Sequence, residues 1–381
     1  MRSLSFLIFF SIVMLIYTSA NYYLYIRGLQ AFSFTPSLKR WYVFIFWIVA
    51  SLFIAGSILE RTATSSFSEW VYRIGSFWIA YMLYLGLAVV LIDIIRIFNY
   101  FIHFLPSFSE IMRFRLGVIV LSLVSIIVFA GHINALWINV KEIPLTIHKK
   151  VTGSPEVKIL MASDLHLGAL IGERREKRLL NIIREQKPDL VLLCGDLVDG
   201  EIAPALRKKL GRHIQEISTP LGVYAITGNH EYIGGIDKTL PYLKSINIRM
   251  LLDEVIALPN GIQLVGRNDH SSGRGSMARK PLAELVSGLD QTKPVIVMNH
   301  QPFNLQEAVD ARVDLQLSGH THHGQLWPVN YITEAIFELS WGYLKKGNTQ
   351  FYVSSGYGSW GPSVRVGNRP EVVVFKLKFE E

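Results

Sequence analysis

Cysteine and charge are both scarce in this chain of 381 residues. The single cysteine, Cys194, excludes an intrachain disulfide and leaves no set of thiolates for a structural zinc ion. Because Cys194 ends an apolar run that starts at Leu190, we expect it to be a small core residue. Only 18% of the residues are charged and 50% are hydrophobic, which is apolar for a soluble protein. The length is sufficient for two domains of ordinary size.

Charged residues are absent from four long segments near the amino terminus, at 3–26, 41–59, 74–92 and 116–140. Each segment is about as long as the roughly 20 residues that a helix needs to cross a bilayer core. We therefore predict a transmembrane region over residues 1–140 with about four helices, at 4–25, 41–59, 75–95 and 116–137. The first helix could instead be a cleaved signal peptide, because Thr18-Ser19-Ala20 resembles a small-residue cleavage site.

The basic excess of the chain belongs to its membrane half. Residues 1–150 contain 12 Lys and Arg against 5 Asp and Glu, whereas the whole chain has a net charge of +8. Basic residues beside membrane helices meet anionic head groups, so we expect a lipid bilayer as a partner and no nucleic acid. The basic residues divide evenly between the two sides of the membrane. We favour an extracytoplasmic catalytic domain, because the loops after helices one and three contain a single acid, Glu110.

The rest of the chain has the pattern of an α/β domain. Residues 141–156 are rich in charge, proline and glycine and are predicted to be a linker to a domain over 157–381. Apolar residues at helical spacing, such as Leu179, Ile182 and Ile183, indicate helices between short apolar runs. Those runs predict strands at 157–163, 189–194, 222–227, 262–266, 294–298, 313–317, 351–354 and 372–377. In such folds, ligands bind beyond the carboxyl ends of the strands.

Five polar clusters directly follow predicted strands. Their carboxylate, imidazole and amide groups suit divalent ions such as Mn, Fe or Zn. Any one cluster could be an ordinary turn, but five in this order predict a metal site at one edge of the domain. The clusters are Asp164-Leu165-His166, Gly195-Asp196-Leu197-Val198-Asp199, Gly228-Asn229-His230-Glu231, Asn299-His300 and Gly319-His320-Thr321-His322.

These clusters resemble the motifs D-x-H, G-D-x-x-D, G-N-H-[DE], H and G-H-x-H of the calcineurin-like metallophosphoesterase superfamily. The resemblance covers residues 157 to about 377. It implies a four-layer α/β/β/α sandwich, two divalent metal ions at its edge and hydrolysis of a phosphate ester bond.

The resemblance also implies a role for each polar residue. His230, oriented by Asp199, would carry positive charge near the leaving oxygen. Asp196 would bridge the two metal ions. The remaining ligands would be Asp164, His166 and His322 for one ion, and Asn229, His300 and His320 for the other.

Two further features narrow the substrate class. In protein serine/threonine phosphatases, Arg-Gly usually follows the second cluster, whereas Gly200 and Glu201 follow Asp199 here. This difference argues against a protein phosphatase. Two carboxyl-terminal motifs look like those of the membrane-associated, YkuE-like branch. They are Gly319-His320-Thr321-His322-His323-Gly324-Gln325 and Ser355-Gly356-Tyr357-Gly358. That branch is similar to enzymes that cleave the pyrophosphate of UDP-2,3-diacylglucosamine, and a membrane tether fits a lipid-linked substrate. Arg365 and Tyr357 are the predicted substrate contacts.

Three functions remain open from the sequence. The first is a membrane-anchored phosphodiesterase or pyrophosphatase in the cell membrane, and the second is a phosphomonoesterase with a soluble substrate. The third is a transporter or sensor in which the helices work and the metal domain regulates them. The third would need intramembrane charge, for which Asp93 is the main candidate. The oligomeric state is not indicated.

Overall fold

The computed structural model describes residues 2–106, 108–246, 248–272 and 278–380. The chain divides into two compact units. The first comprises Met1–Thr62 and Ser66–His132, and the second comprises Ala63–Ser65 and Ile133–Glu381. The two units are described separately below.

The first unit consists of long apolar helices. They are α1 (Arg2–Ala31), α2 (Pro36–Thr62), α3 (Ser66–Ile102) and α4 (Glu110–Leu136), the last of which ends in the second unit. Within the described residues, α2, α3 and α4 are long and apolar enough to cross a membrane, by length and composition. All but α4 extend beyond both predicted ends, and α3 has 37 residues. The predictions were short because charged side chains end an apolar run without ending the backbone hydrogen bonds of a helix.

Asp93 in α3 has several partners within this unit. The hydroxyl of Tyr23 donates to its Oδ2 at 2.5 Å, and Arg27 forms an ion pair with it. Arg96, one helical turn further on, lies 3.5 Å from Oδ1. Asp93 is therefore a paired carboxylate whose cationic partners come from α1 and α3.

Within its described residues, the second unit contains two six-stranded sheets. The first sheet has the order β1-β12-β2-β3-β4-β5, and the second has the order β10-β11-β9-β8-β7-β6. The strands are β1 (Asn139–Ile147), β2 (Glu156–Ala162), β3 (Leu190–Cys194), β4 (Val223–Ile226), β5 (Arg249–Met250), β6 (Glu254–Ala257), β7 (Gln263–Gly266), β8 (Val295–Met298), β9 (Leu315–Ser318), β10 (Gly342–Lys346), β11 (Thr349–Val353) and β12 (Glu371–Phe379). The predicted mixture of strands and helices is confirmed.

Hydrophobic cores lie between the sheets and on their outer faces. The central core joins Ile159 and Leu192 of the first sheet to Ile296 and Leu317 of the second. A second core packs the other face of the first sheet against helix α5, and a third packs β7 and β8 against α9 and α10. The helices of this unit are α5 (Glu173–Gln186), α6 (Ala203–Lys208), α7 (Asn229–Ile233), α8 (Ile236–Ser245), α9 (Leu282–Val286), α10 (Gln306–Asp310) and α11 (Asn330–Ile336).

The predicted linker at 141–156 differs from the structure. Most of strand β1 lies in it and pairs in parallel with β12, so that Pro144 is opposite Lys376. β1 is the last strand of its sheet, and an edge strand tolerates proline and charge because one side makes no ladder hydrogen bonds. The same composition therefore predicted a linker where the chain already belongs to the sheet.

Candidate metal centre

The predicted ligands all follow strands that end at the same edge of the second unit. Strands β2, β3 and β4 are parallel neighbours in the first sheet, and β8 and β9 are parallel neighbours in the second. Parallel strands present their carboxyl ends at one edge, where loops converge. The structure brings together all seven predicted metal ligands, together with His230 and Asp199.

The first ligand set joins the loop after β2 to the loop after β9. Nε2 of His322 lies 3.3 Å from Oδ1 of Asp164 and 3.1 Å from Nε2 of His166. All three side chains are buried, and one ligand atom of each lies within 4.8 Å of the others. A carboxylate and two imidazoles at this spacing can hold one cation.

The second set joins the loop after β3 to those after β4, β8 and β9. Nε2 of His300 lies 3.2 Å from Oδ2 of Asp196, and Nδ1 of His320 lies 2.8 Å from Oδ1 of Asn229. The same Oδ2 of Asp196 lies 3.8 Å from Nε2 of His166, which belongs to the first set. Asp196 therefore stands between the two sets.

His230 lies beside both ligand sets. This agrees with the sequence analysis, which did not assign it to either set. Its Nδ1 is 3.2 Å from Oδ1 of Asp199, and its ring packs against that of His166 with centroids 4.5 Å apart. Burial lowers the pKa of His230, but the hydrogen bond to Asp199 and the charges of Asp196 and Asp199 outweigh it and raise the pKa to about 9. The imidazole is therefore protonated near neutral pH and can donate a proton.

The donor set fits divalent cations. Burial, the largest cause, lowers the pKa of His166 to about 3 and that of His320 to about 4, so both rings are neutral, the form that binds a metal. Nε2 of His300 is buried and makes no well-oriented hydrogen bond, although it faces Asp196. A cation between these groups would satisfy them.

The backbone at the ligands is in an uncommon conformation. Asp164, His166, Asp196, His320 and His322 have φ angles of 55°, 47°, 52°, 75° and 47°. Residues other than glycine rarely adopt a positive φ angle. Those that do cluster at ligand sites, because the surrounding structure holds them in this conformation. The neighbouring glycines leave room for these turns: a Cβ on Gly319 would lie 2.4 Å from Oδ2 of Asp164.

Comparisons with known proteins agree with this geometry. A model of the family described as calcineurin-like phosphoesterase matches residues 157–324. A metallophosphoesterase of Campylobacter jejuni is 31% identical over 379 residues, which cover 98% of this chain and 99% of that protein. The chain belongs to the calcineurin-like metallophosphoesterase family.

The sequences of two further relatives match parts of this metallophosphoesterase. One from Aquifex aeolicus is 33% identical over 251 residues, covering 65% of this chain and 95% of that protein. A transmembrane protein with a metallophosphoesterase domain from Bos taurus is 29% identical over 286 residues, covering 70% of this chain and 63% of that protein. The family membership makes the chain a metal-dependent phosphoester hydrolase.

Glu231 is a positioning residue of this metallophosphoesterase to which the sequence assigned no role. Its buried carboxylate accepts hydrogen bonds from the backbone N–H groups of Asp196, Leu197, Val198 and Gly228, at 3.1, 2.8, 3.1 and 2.6 Å. It thereby ties the loop after β3 to the start of α7. The only sequence signal was its place at the end of the third cluster, Gly228-Asn229-His230-Glu231.

The two predicted substrate contacts have other positions. Arg365 is fully buried. Its guanidinium lies 3.0 Å from Nδ1 of His322 and donates to the carbonyl oxygen of Gly358 at 2.6 Å. Tyr357 is also buried, and its hydroxyl donates to the carbonyl oxygen of Arg175 at 2.6 Å. Neither side chain is exposed to a substrate here. The sequence located Arg365 near the site, but only packing shows that it contacts the candidate ligand His322.

Proposed function

We propose that the chain is a membrane-anchored binuclear phosphoesterase. It would cleave a phosphodiester or pyrophosphate bond in a lipid-linked or cell-envelope substrate such as UDP-2,3-diacylglucosamine. The proposal is carried by the position of Asp196, whose Oδ2 faces His300 of one ligand set and His166 of the other. A carboxylate between two sets is suited to bridging two ions. Mn, Fe or Zn would be held in one set by Asp164, His166 and His322, and in the other by Asn229, His300 and His320.

Each polar group has a chemical task in this proposal. Two divalent ions would supply Lewis acidity to the phosphoryl oxygens during in-line displacement. The protonated His230 would stabilise the charge on the leaving oxygen and donate its proton there. Asp199 accepts the hydrogen bond from Nδ1 of His230, which leaves Nε2 of the ring to act on the substrate.

An apolar surface beside the metal centre supports a lipid-linked substrate. Helix α11 exposes Tyr331, Ile332 and Ile336, with exposed fractions of 60%, 58% and 58%. The residue that follows the helix, Phe337, lies with its ring centroid 5.8 Å from that of the ligand His320. Exposed apolar side chains grouped in this way typically mark a binding surface. An acyl chain can therefore contact α11 while the phosphoryl group reaches the ligands.

The first experiment measures hydrolysis of bis-p-nitrophenyl phosphate and of p-nitrophenyl phosphate by the purified chain, with and without Mn²⁺. Asp196→Asn and His230→Ala variants are tested in parallel. We expect metal-dependent cleavage of the diester that is lost in both variants. Cleavage of the monoester alone would favour the phosphomonoesterase with a soluble substrate. Folded, metal-loaded protein that cleaves neither ester would contradict the proposal.

The second experiment tests the lipid through an Ile332→Ser, Ile336→Ser double variant. Burying an isoleucine contributes about 1.5–3 kcal/mol. The two side chains, each 58% exposed, would therefore contribute about 2 kcal/mol or more on contact with an acyl chain. We expect KM for UDP-2,3-diacylglucosamine in mixed micelles to rise about 30-fold, with turnover of the soluble diester unchanged.

Leu206→Ser is the control for this pair, because Leu206 is 52% exposed on another helix, α6. An unchanged KM in the double variant would refute a role of α11 in lipid binding while leaving the hydrolytic function untouched.

The membrane arrangement is also part of the proposal. We infer that α1 crosses the membrane together with α2, α3 and α4, and that the catalytic domain faces the extracytoplasmic side of the cell membrane. We infer further that the two sheets and their outer helices form the four-layer sandwich of the family. The cores on both faces of each sheet support that layering.

A further inference from the structure

An open, basic cleft lies in the second unit beside the end of α4. It has a volume of about 950 Å³ and is lined by one acid, Glu173, and by five basic side chains. These are Arg174, Arg175, Lys177, Arg178 and Arg369. None of them belongs to the metal centre described above.

Most of this positive charge is not neutralised within the protein. Lys177 lies 2.9 Å from Glu173, which also pairs with Arg212. Arg174 and Arg178 are exposed and have no ion-pair partner among the residues that the structure describes. Clustered arginines repel one another, so an anion bound between them would stabilise the arrangement.

The inner wall of the cleft is held in place by hydrogen bonds. Arg175 donates to the carbonyl oxygens of Leu136, at 3.2 Å, and Tyr357, at 2.9 Å. Its Nε is buried and has no hydrogen-bond partner. Arg369 donates to Oδ1 of Asn134 at 2.8 Å, and its guanidinium lies 5.7 Å from the centre of the Trp137 ring. Two of the arginines are thus pre-oriented, which lowers the entropic cost of binding a ligand.

The cleft lies next to a membrane boundary along the chain. Leu136, which lines it, is the last residue of the candidate membrane span α4, and Trp137 follows with 62% of its surface exposed. Tryptophan is enriched where a helix leaves the bilayer, and basic clusters immediately beside a membrane helix bind anionic head groups.

We propose that this cleft binds the phosphate of an anionic glycerophospholipid. The arginines contact the phosphate oxygens, and Trp137 lies at the level of the head group. This site binds lipid without cleaving it, so the inference goes beyond the proposed hydrolysis and does not depend on it.

The test measures binding of dihexanoyl phosphatidylglycerol to the full chain in a neutral detergent, by isothermal titration calorimetry. Dihexanoyl phosphatidylcholine and inorganic phosphate are titrated in parallel. Each basic side chain near an anionic head group contributes about fivefold to affinity. We therefore expect Arg174→Gln, Arg178→Gln to weaken binding of the anionic lipid about 30-fold.

The matched control is Arg184→Gln, Lys187→Gln, which removes the same charge from α5 and its carboxyl-terminal cap outside the cleft. It should bind as the wild type does. The Asp196→Asn variant should also retain lipid binding, so failure of the proposed hydrolysis and failure of this inference are distinguishable.

Two outcomes would overturn the inference. Equal affinity of the wild type and the cleft variant for phosphatidylglycerol would place the lipid elsewhere. Inorganic phosphate that binds as tightly as the lipid, and displaces it, would make the cleft a site for free phosphate.

Discussion

Replacing Arg365 tests whether a buried arginine sets the affinity of the metal centre. Its guanidinium lies 3.0 Å from Nδ1 of His322, and Nε2 of that ring faces Asp164 and His166. A ring that binds a metal ion through Nε2 carries its proton on Nδ1, so the guanidinium acts by holding the ring in place and not by donating to Nδ1. Arg365→Met keeps a long apolar stem in the buried position but removes the guanidinium that contacts the ring. The His322 ring then loses the contact that fixes its orientation. Removing a group that orients a metal ligand typically weakens metal binding by about 10- to 100-fold.

The loss of metal affinity can be expressed as a smaller stabilisation of the folded chain by metal. At a metal concentration about 100 times the wild-type dissociation constant, binding stabilises the folded chain by about 2.7 kcal/mol. With a dissociation constant tenfold higher, the stabilisation falls to about 1.4 kcal/mol, and with one a hundredfold higher it falls to about 0.4 kcal/mol.

The assay is thermal unfolding of the full chain in detergent with and without Mn²⁺, for the wild type and for Arg365→Met. Arg249→Met is the control, because it removes an exposed arginine that pairs with Glu254 at 3.0 Å. We expect the metal-induced rise in melting temperature to shrink in Arg365→Met and to persist in the control. If metal raises the melting temperature of the folded Arg365→Met variant as much as that of the wild type, Arg365 does not orient His322 for metal binding.

Two more predictions concern groups that shape the ligand loops. Glu231→Ala leaves four buried backbone N–H groups without their acceptor, so we expect the free energy of unfolding to fall by at least about 4 kcal/mol, measured by chemical denaturation. Glu185→Ala on an exposed part of α5 should change it little, and similar losses in both variants would contradict the role of Glu231. Gly319→Ala introduces a Cβ at 2.4 Å from Asp164, so we expect loss of calorimetric metal binding, whereas Gly288→Ala, whose Cβ meets nothing within 4 Å, should bind normally. Normal binding by Gly319→Ala would show that the loop after β9 can shift.

The main strands of the second unit could be predicted from the sequence because they are buried on both faces. Strand β3 is apolar along its whole length, and such runs are visible without any knowledge of partners. Strands β5, β6 and β10 were not predicted, since they are short or half-exposed and their residues resemble those of loops. The edge strand β1 was taken for a linker for the same reason. Burial made the central strands predictable and its absence hid the others.

The candidate site divides in a similar way. The grouping of candidate ligands such as Asp164 and His320 at one edge could be predicted because each closely follows a strand, and parallel strands bring their ends together. The position of Arg365 could not be predicted, because it depends on how a loop 43 residues after His322 folds back over that ring. Neither periodicity nor local composition reports such a contact.

The positive φ angles of the ligands have a consequence for the evolution of this chain. Each such residue costs of order 1–3 kcal/mol, which is large beside the total stability of a typical domain. A descendant that replaced His320 by glycine would relax its backbone and fold more stably, while losing a candidate metal ligand. Selection for a durable fold and selection for activity therefore act in opposite directions at the same positions. Ligand motifs in such a lineage persist only while the reaction is needed, and inactive relatives would be expected to lose these residues first.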